Sequence, residues 1–351
     1  MAEARDPICA PMLSSLLDTS LSSFTQHLHA MEVRLRAQDG TPFAVEVRTV
    51  ESIMPNAFAR RDGDIHLIGM HTALPVVIQE FALFCFAQGA VFPEIGDPSL
   101  ERSPQVIGQN PPGLGLLLAT LKGGGVIAAP PAQIVPIDPY RHAAAVYLSL
   151  LMMRFVWLHE LGHGVLGHVD YLRSLSDVGM PSIGLNELFL TELIESNSAI
   201  DPRVLQCMEF EADSWALSKS LMIQRDGAEN IEGIKVFDAD TRYRLTLFGL
   251  YAMSWLMEIM ASTMQRGRLN ITHPAPIRRM QMLQNMAVWE LNDLGLDTEP
   301  LTRQTLMQFE DILGRIGRQW LQSDRFEPVS YRAVFEDMRN TLAPFRYVTA
   351  E

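Results

Sequence analysis

The chain has 351 residues, of which 48% are hydrophobic and 20% charged, a composition typical of a globular protein with a sizeable core. Its formal net charge of -13 argues against a nucleic-acid partner, because phosphate binding requires a basic surface. Three scattered cysteines and an N-terminus without an apolar segment argue against a disulfide framework and a secretory signal, and they predict a cytoplasmic protein.

The first 90 residues predict a small arrangement of strands and one helix. Residues 31–50 alternate apolar and polar side chains around a turn sequence centred on Asp39-Gly40, which predicts a β-hairpin. Residues 64–70 predict a third strand, and residues 74–88 predict a buried helix. Since extended peptides often add to a sheet edge, the hairpin or the third strand is a candidate edge for a peptide substrate.

Residues 91–137 are rich in proline and glycine and mark the candidate boundary between two regions. We therefore predict an N-terminal α/β region of unrecognised type over residues 1–135 and a helical region over residues 136–351. The two regions can pack as one compact unit. The predicted fold class is α+β, and mostly α-helical.

Two helix starts in the second region share one signal, an aspartate followed by a proline. Asp138-Pro139 predicts a helix that runs to about Gly167, and Asp201-Pro202 predicts one that ends near Gly227, because aspartate caps a helix and proline suits its first turn. The loop between them, residues 169–200, is long enough to act as a lid. Further helices are predicted over residues 238–265 and 275–345.

Two apolar stretches within these helices, residues 143–158 and 245–257, are candidate membrane spans by composition. Each falls short of the ~20 uninterrupted apolar residues that a span requires. We interpret both as buried core helices; membrane spans are the less favoured alternative, and peripheral contact with a membrane stays open.

The sequence His159-Glu160-Leu161-Gly162-His163 is an H-E-x-x-H motif at the end of the first long helix. Helix positions i and i+4 share a face, so both histidines can bind one metal ion. Glu160 can then take a proton from a water molecule that the metal activates. The motif predicts a zinc hydrolase with one zinc ion per chain.

A catalytic zinc site needs a third protein ligand, and two spacings compete for it. In the metzincin pattern a histidine follows six residues after the second ligand, but His168 comes five residues after His163 and is not predicted to bind the metal. A glutamate from a second helix is the other solution. Glu209 and Asp213 share a helix face, so Glu209 is predicted as the ligand and Asp213 as the partner of a ligand histidine. Glu211 points elsewhere and is predicted to be solvated.

Three segments in this order resemble the family of prenyl-protein (CAAX) endopeptidases and HtpX-like or BepA-like zinc metallopeptidases. They are the H-E-x-x-H motif, Glu209-Phe210-Glu211-Ala212-Asp213, and Thr272-His273-Pro274 with Arg279 six residues after the histidine. Met280 stands where an aliphatic residue is usual, and Ala275 replaces a common second proline. The resemblance covers about residues 139–285 and not the first 130.

The resemblance implies a gluzincin with a zincin-like core and, because clear membrane spans are lacking, a soluble member of the family. Carried over to this chain, it implies that His159, His163 and Glu209 bind zinc and that Asp213 orients His159. It further implies that Glu160 is the general base and that His273 and Arg279 face the developing oxyanion; the catalytic residues would thus be Glu160, His273 and Arg279.

The predicted activity is that of a metalloendopeptidase acting on a protein or peptide substrate. Two alternatives stay open. The first is a dedicated regulatory or phage-defence (Lit-type) metallopeptidase with a single protein target, which the unrecognised N-terminal region favours. The second is a non-catalytic, zinc-stabilised binding module, although structural zinc sites are usually closed by four ligands and rich in cysteine.

Overall fold

A computed structural model of the protein describes thirteen parts of the chain, and every structural statement below refers to them. They are residues 18–22, 24–25, 28, 35–103, 112–113, 115, 134–175, 185–186, 201–226, 237–264, 276–293, 295–316 and 331–349. This part of the chain is mostly helical with a small sheet, so the predicted α+β class is confirmed.

The main sheet has the strand order β2-β4-β3-β5. Strand β4 pairs in parallel with β2 and antiparallel with β3, and β5 adds two residues to the far side of β3. A separate two-stranded sheet joins β1 to β6 near the C-terminus. The strands are β1 (Leu35–Arg36), β2 (Val45–Val50), β3 (Ala57–Asp62), β4 (Ile65–His71), β5 (Leu185–Asn186) and β6 (Val348–Thr349).

The predicted hairpin over residues 31–50 is confirmed only next to its turn, where Arg36 and Pro42 form an antiparallel bridge and Phe43 N–H donates to Leu35 C=O over 3.1 Å. The turn around Gly40 does form, since Ala37 N–H donates to Thr41 C=O over 2.8 Å, but β2 continues beyond it to pair with β4. The long hairpin is instead β3–β4, where Gly63 adopts a φ of 60° in the two-residue connection that favours a tight turn. Strand β3, with its consecutive arginines, was not predicted.

The predicted third strand is confirmed as β4, but its proposed role as a sheet edge is excluded. It lies between β2 and β3, and its backbone groups are used on both sides. Of the two candidate segments, only residues 31–50 contribute an edge, through β2.

The predicted long helices are confirmed within a few residues of their ends. Asp138 accepts a hydrogen bond from Arg141 N–H (2.9 Å), and Asp201 accepts one from Arg203 N–H (2.9 Å), which satisfies backbone donors at both helix starts. The helices are α1 (Ala73–Phe86), α2 (Pro139–Val165), α3 (His168–Leu175), α4 (Pro202–Asp226), α5 (Ala239–Met264), α6 (Pro276–Asp293), α7 (Thr298–Ile316) and α8 (Arg332–Leu342).

Helix α2 is apolar on all sides because it is surrounded. It packs against α1, α4 and α5 and lies on the sheet. It alone among the described helices is long and apolar enough to cross a membrane, and 94% of its most apolar window is buried inside the protein. One hydrophobic core joins α2 to residues of both predicted regions, including Phe43, Ile68 and Phe81 from the first.

The start of the predicted loop 169–200 is helical rather than irregular. Helix α3 occupies residues 168–175, and β5 lies further along; the other residues of this segment fall outside the described part of the chain. Gly167 produces the turn between α2 and α3 with a φ of 80°, a conformation that favours glycine. This turn directs His168 back toward the end of α2.

Residues 331–349, here called the C-terminal segment, bind across the ends of α2 and α4. Tyr347 N–H donates to Val165 C=O (2.9 Å), which satisfies a carbonyl group at the end of α2. Tyr331 Oη donates to Gln206 on α4 (2.5 Å), and β6 pairs with β1. The C-terminal segment is therefore tied to both helices that carry the predicted metal ligands.

Candidate metal centre

The three predicted ligands meet at the crossing of α2 and α4. His159 Nε2 lies 3.0 Å from His163 Nε2, and Glu209 carboxylate oxygens lie 3.4 Å and 3.5 Å from these two nitrogens. All three side chains are buried. Two ligand atoms on a tetrahedral zinc with bonds of about 2.0–2.1 Å are about 3.3 Å apart, so this spacing suits a small metal ion.

Gly162 allows the two helices to come this close. A side-chain carbon at this position would lie 3.3 Å from the Trp215 ring and 3.5 Å from the Cα of Ala212, both on α4. The glycine inside the H-E-x-x-H motif thus lets α4 approach α2, and Ala212 keeps the facing surface small. Glu209 can therefore reach the histidines from the neighbouring helix.

His159 is supported directly by a carboxylate. Its Nδ1 lies 3.0 Å from Asp213 Oδ1, and Arg279 on α6 binds both oxygens of Asp213 with distances of 2.7 Å. Burial lowers the pKa of His159, but the Asp213 and Glu209 carboxylates outweigh it and raise that pKa to about 10. Burial likewise raises the pKa of Asp213, and Arg279 and His159 bring it below its usual value.

His163 is supported through a second imidazole. Its Nδ1 lies 2.9 Å from His168 Nδ1, and His168 Nε2 lies 3.2 Å from Glu211 Oε2. Two arginines of the C-terminal segment, Arg339 and Arg346, donate to the Glu211 carboxylate over 2.9 Å and 2.6 Å. Burial holds the pKa of His168 below its usual value, so its imidazole stays neutral.

The prediction that Glu211 is solvated is wrong. The side chain is buried, because its carboxylate is the meeting point of His168 and the two arginines. Burial raises its pKa, but the hydrogen bonds from His168 and Arg346 outweigh this and lower it to about 2. His168 is not one of the three grouped ligands, in agreement with its predicted exclusion, but its contact with His163 was not foreseen.

Proton positions follow from the two supporting carboxylates. A carboxylate only accepts, so His159 donates from Nδ1 to Asp213, and His168 donates from Nε2 to Glu211. The Nδ1 of His168 then carries a lone pair and accepts the Nδ1 proton of His163. In their neutral forms, both ligand histidines consequently direct a lone pair from Nε2 toward the carboxylate of Glu209.

Three electron-rich groups, two imidazole nitrogens and one carboxylate, converge within 3.0–3.5 Å and repel one another unless a positive charge lies among them. Asp213 and Glu209 both raise the pKa of His159, so the site also favours positive charge in the form of a proton. A metal cation satisfies the site more fully, because it accepts all three lone pairs at once. His159, His163 and Glu209 could hold one metal ion.

No family model, curated protein or solved structure matches this chain. The resemblance to zinc metallopeptidases accordingly rests on the residues of the three motifs.

Glu160 lies on α2 beside the first ligand and is buried. A helix turns by about 100° per residue, so this carboxylate stands beside the face that carries the two histidines. Its predicted role as general base remains a prediction.

The other two predicted catalytic residues are His273 and Arg279. His273 lies outside the described residues. Arg279 is buried, and its Nε and Nη2 atoms bind Asp213 behind His159. These contacts place the guanidinium in the support of a metal ligand, whereas its predicted role was to face an oxyanion.

Proposed function

We propose that this protein is a zinc-dependent endopeptidase with the metal bound by His159, His163 and Glu209. The observation that carries the proposal is the convergence of two imidazole lone pairs and one carboxylate in a buried site. Nitrogen and oxygen ligands in this combination suit zinc. The crossing of a H-E-x-x-H helix with a glutamate-bearing helix beside a small sheet also supports a zincin-like core.

The ligand set favours a catalytic site over a structural one. Structural zinc sites are usually closed by four ligands, several of them cysteines. Among the described residues the group has three members, and the described cysteines, Cys85 and Cys207, are buried elsewhere as free thiols. A four-coordinate metal with three protein ligands leaves one position for water or substrate.

A zinc ion would supply Lewis acidity, which polarises a carbonyl group and acidifies water. Glu160 accepts a proton from the attacking water while the water oxygen bonds to the peptide carbonyl carbon. When the C–N bond breaks, Glu160 returns that proton to the leaving amine. The water is thereby divided between the two products, and the enzyme is regenerated.

Asp213 and Arg279 contribute by fixing His159 in the tautomer that binds metal through Nε2. Partners of this kind orient a ligand and raise its basicity. Both side chains are buried, so water does not compete with His159 for the Asp213 carboxylate.

The test is a comparison of wild-type protein with Glu160→Gln, a change that keeps the size of the side chain and removes its basicity. We expect equal zinc contents and a loss of cleavage of at least about 100-fold, the usual contribution of a general base. Activity would be measured by mapping new N-termini in a proteome treated with each protein.

A Glu160→Gln variant with full activity would exclude this proposal. A single cleaved protein would indicate a dedicated regulatory or defence peptidase, and many cleaved unfolded proteins would indicate general degradation. Stoichiometric zinc without any cleavage by wild-type protein would support a binding module instead.

A further inference from the structure

A chain of polar contacts leads from the metal centre to the C-terminal segment. It consists of His163, His168 and Glu211, followed by Arg339 and Arg346, and is here called the C-terminal relay. Its contacts are 2.9 Å, 3.2 Å, 2.9 Å and 2.6 Å long. Every member between the metal ligand and the arginines is buried.

Each contact in the C-terminal relay fixes the next one. Glu211 requires the proton of His168 to be on Nε2, which makes His168 Nδ1 an acceptor. His163 must then carry its proton on Nδ1 and present Nε2 as a lone pair. The hydrogen bond to His168 Nδ1 thus selects the His163 tautomer that carries its proton on Nδ1.

The two arginines offset the cost of burying the Glu211 carboxylate by pairing with it. A buried charge is costly unless it is paired and hydrogen-bonded. Arg346 is 22% exposed and Arg339 is 58% exposed in their side chains, whereas Glu211 is 5% exposed. Both arginines come from the C-terminal segment, so that segment supplies the donors that hold the Glu211 carboxylate beside His168.

The position of Arg346 is fixed on both sides along the chain. The next residue, Tyr347, donates its backbone N–H to Val165 C=O and its hydroxyl to Asp170 over 3.2 Å. The preceding residue, Phe345, lies over Gly167, where an added side-chain carbon would come within 2.7 Å of its backbone. Arg346 is therefore delivered to Glu211 by backbone packing and by the contacts of its neighbours.

We propose that His168 and Glu211, held by Arg339 and Arg346, are positioning residues that fix His163 for metal binding, so that the C-terminal segment is part of the metal centre. This inference rests on the proposed metal site and does not depend on peptidase activity. Loss of a contact behind a ligand histidine typically weakens metal binding 10- to 100-fold.

The experiment measures zinc affinity by competition with a chelating dye, together with the absorption spectrum of the Co²⁺-loaded protein. His168→Phe and Glu211→Gln are each expected to weaken zinc binding about 10- to 100-fold and to change the Co²⁺ spectrum. Arg346→Ala is expected to weaken binding several-fold, and Arg346→Lys to restore part of the loss by returning the positive charge.

Arg203→Ala is the matched control. Arg203 lies on the same helix as Glu211 and pairs with a carboxylate, Asp201, but both side chains are exposed and lie at the start of α4. Its removal is expected to leave zinc affinity unchanged. Urea unfolding of each metal-free variant separates effects on folding from effects on the metal.

Wild-type protein that binds neither zinc nor Co²⁺ would contradict the proposed function itself. If the wild type binds zinc and His168→Phe and Glu211→Gln bind it equally well, the site stands and the positioning role is wrong. Lower stability of the metal-free variants with unchanged zinc affinity would indicate a purely structural role. Should both buried variants fail to fold, Arg346→Ala decides, since wild-type affinity in that variant overturns the inference.

Discussion

His159 donates its Nδ1 proton straight to a carboxylate, whereas His163 donates its own to a second imidazole. The first support is short and buried throughout, with Asp213 four residues after Glu209 on the same helix and Arg279 behind it. The second passes from His168 through Glu211 to arginines at the surface, 128 and 135 residues further along the chain from Glu211.

This difference shows that one chemical requirement can be met at two distances along the sequence. To bind a metal, both histidines must present Nε2 as a lone pair, and in each case a carboxylate determines that the remaining proton is on Nδ1. In the first support the carboxylate lies in the helix that carries the third ligand. In the second, the carboxylate is held by two arginines of the C-terminal segment, so the proposed positioning role couples that segment to the metal.

Breaking the first support should have the largest effect on stability. Asp213→Asn removes the negative charge that the buried guanidinium of Arg279 binds through two atoms, and breaking a buried ion pair typically costs about 3–5 kcal/mol. The free energy of unfolding, measured with urea on metal-free protein, checks this. Asp201→Asn is the control: Asp201 is an exposed partner of Arg203, and asparagine caps a helix as well as aspartate. A loss in Asp213→Asn no larger than in the control would show that this support is weak.

Removal of the metal tests whether both supports serve one ion. A ligand that binds only the native state stabilises it by about 3 kcal/mol when its free concentration is 100 times the Kd. A strong chelator should therefore lower the Tm of wild-type protein prepared with zinc. Glu209→Gln should show no such shift, because the ligand set is incomplete. An equal shift in both proteins would place the stabilising metal elsewhere.

The contact between the C-terminal segment and the turn before His168 can be separated from backbone strain. Gly40 and Gly167 have φ angles of 86° and 80°, but an added side-chain carbon meets nothing at Gly40 and the backbone of Phe345 at Gly167. Gly40→Ala should cost about 1 kcal/mol of strain. Gly167→Ala should cost about 2–3 kcal/mol, because the steric clash adds to the strain. Equal losses in the free energy of unfolding, measured with urea, would mean that Phe345 moves aside at little energetic cost.

The smallest predicted effect concerns Asp170, which accepts a hydrogen bond from the hydroxyl of Tyr347 in the C-terminal segment. Burial raises its pKa, but His66, Arg61 and the Tyr347 hydroxyl outweigh this and bring that pKa below its usual value. Its contribution is therefore present above the ordinary aspartate pKa and lost as the pH falls through the lowered one.

Asp170→Asn should accordingly lose about 1 kcal/mol of stability at pH 7. The difference from wild type should shrink below about pH 4, where aspartate in the unfolded chain becomes protonated. Urea unfolding of both proteins at pH 7 and at a pH below about 4 measures this. A difference that is the same at both would show that the carboxylate charge plays no part in holding Tyr347.

Local signals in the sequence determined the helices and half of the candidate site. Capping aspartates with prolines predicted the starts of α2 and α4, and the i, i+4 spacing predicted that His159 and His163 share a face, as do Glu209 and Asp213. Such features follow from helix geometry, which is the same in every protein. The meeting of these two faces could be inferred because a metal needs ligands from both.

Strand pairing and the support of His163 were decided by the tertiary structure alone. The alternation in residues 31–50 is compatible with any neighbouring strand, so it could not select β4 as the partner of β2. Nothing local distinguishes Glu211 from a solvated glutamate, since its burial depends on two arginines brought close by the C-terminal segment. The sequence by itself determined which side chains could bind a metal, and the packing of distant segments determined how one of the two histidines is held in place.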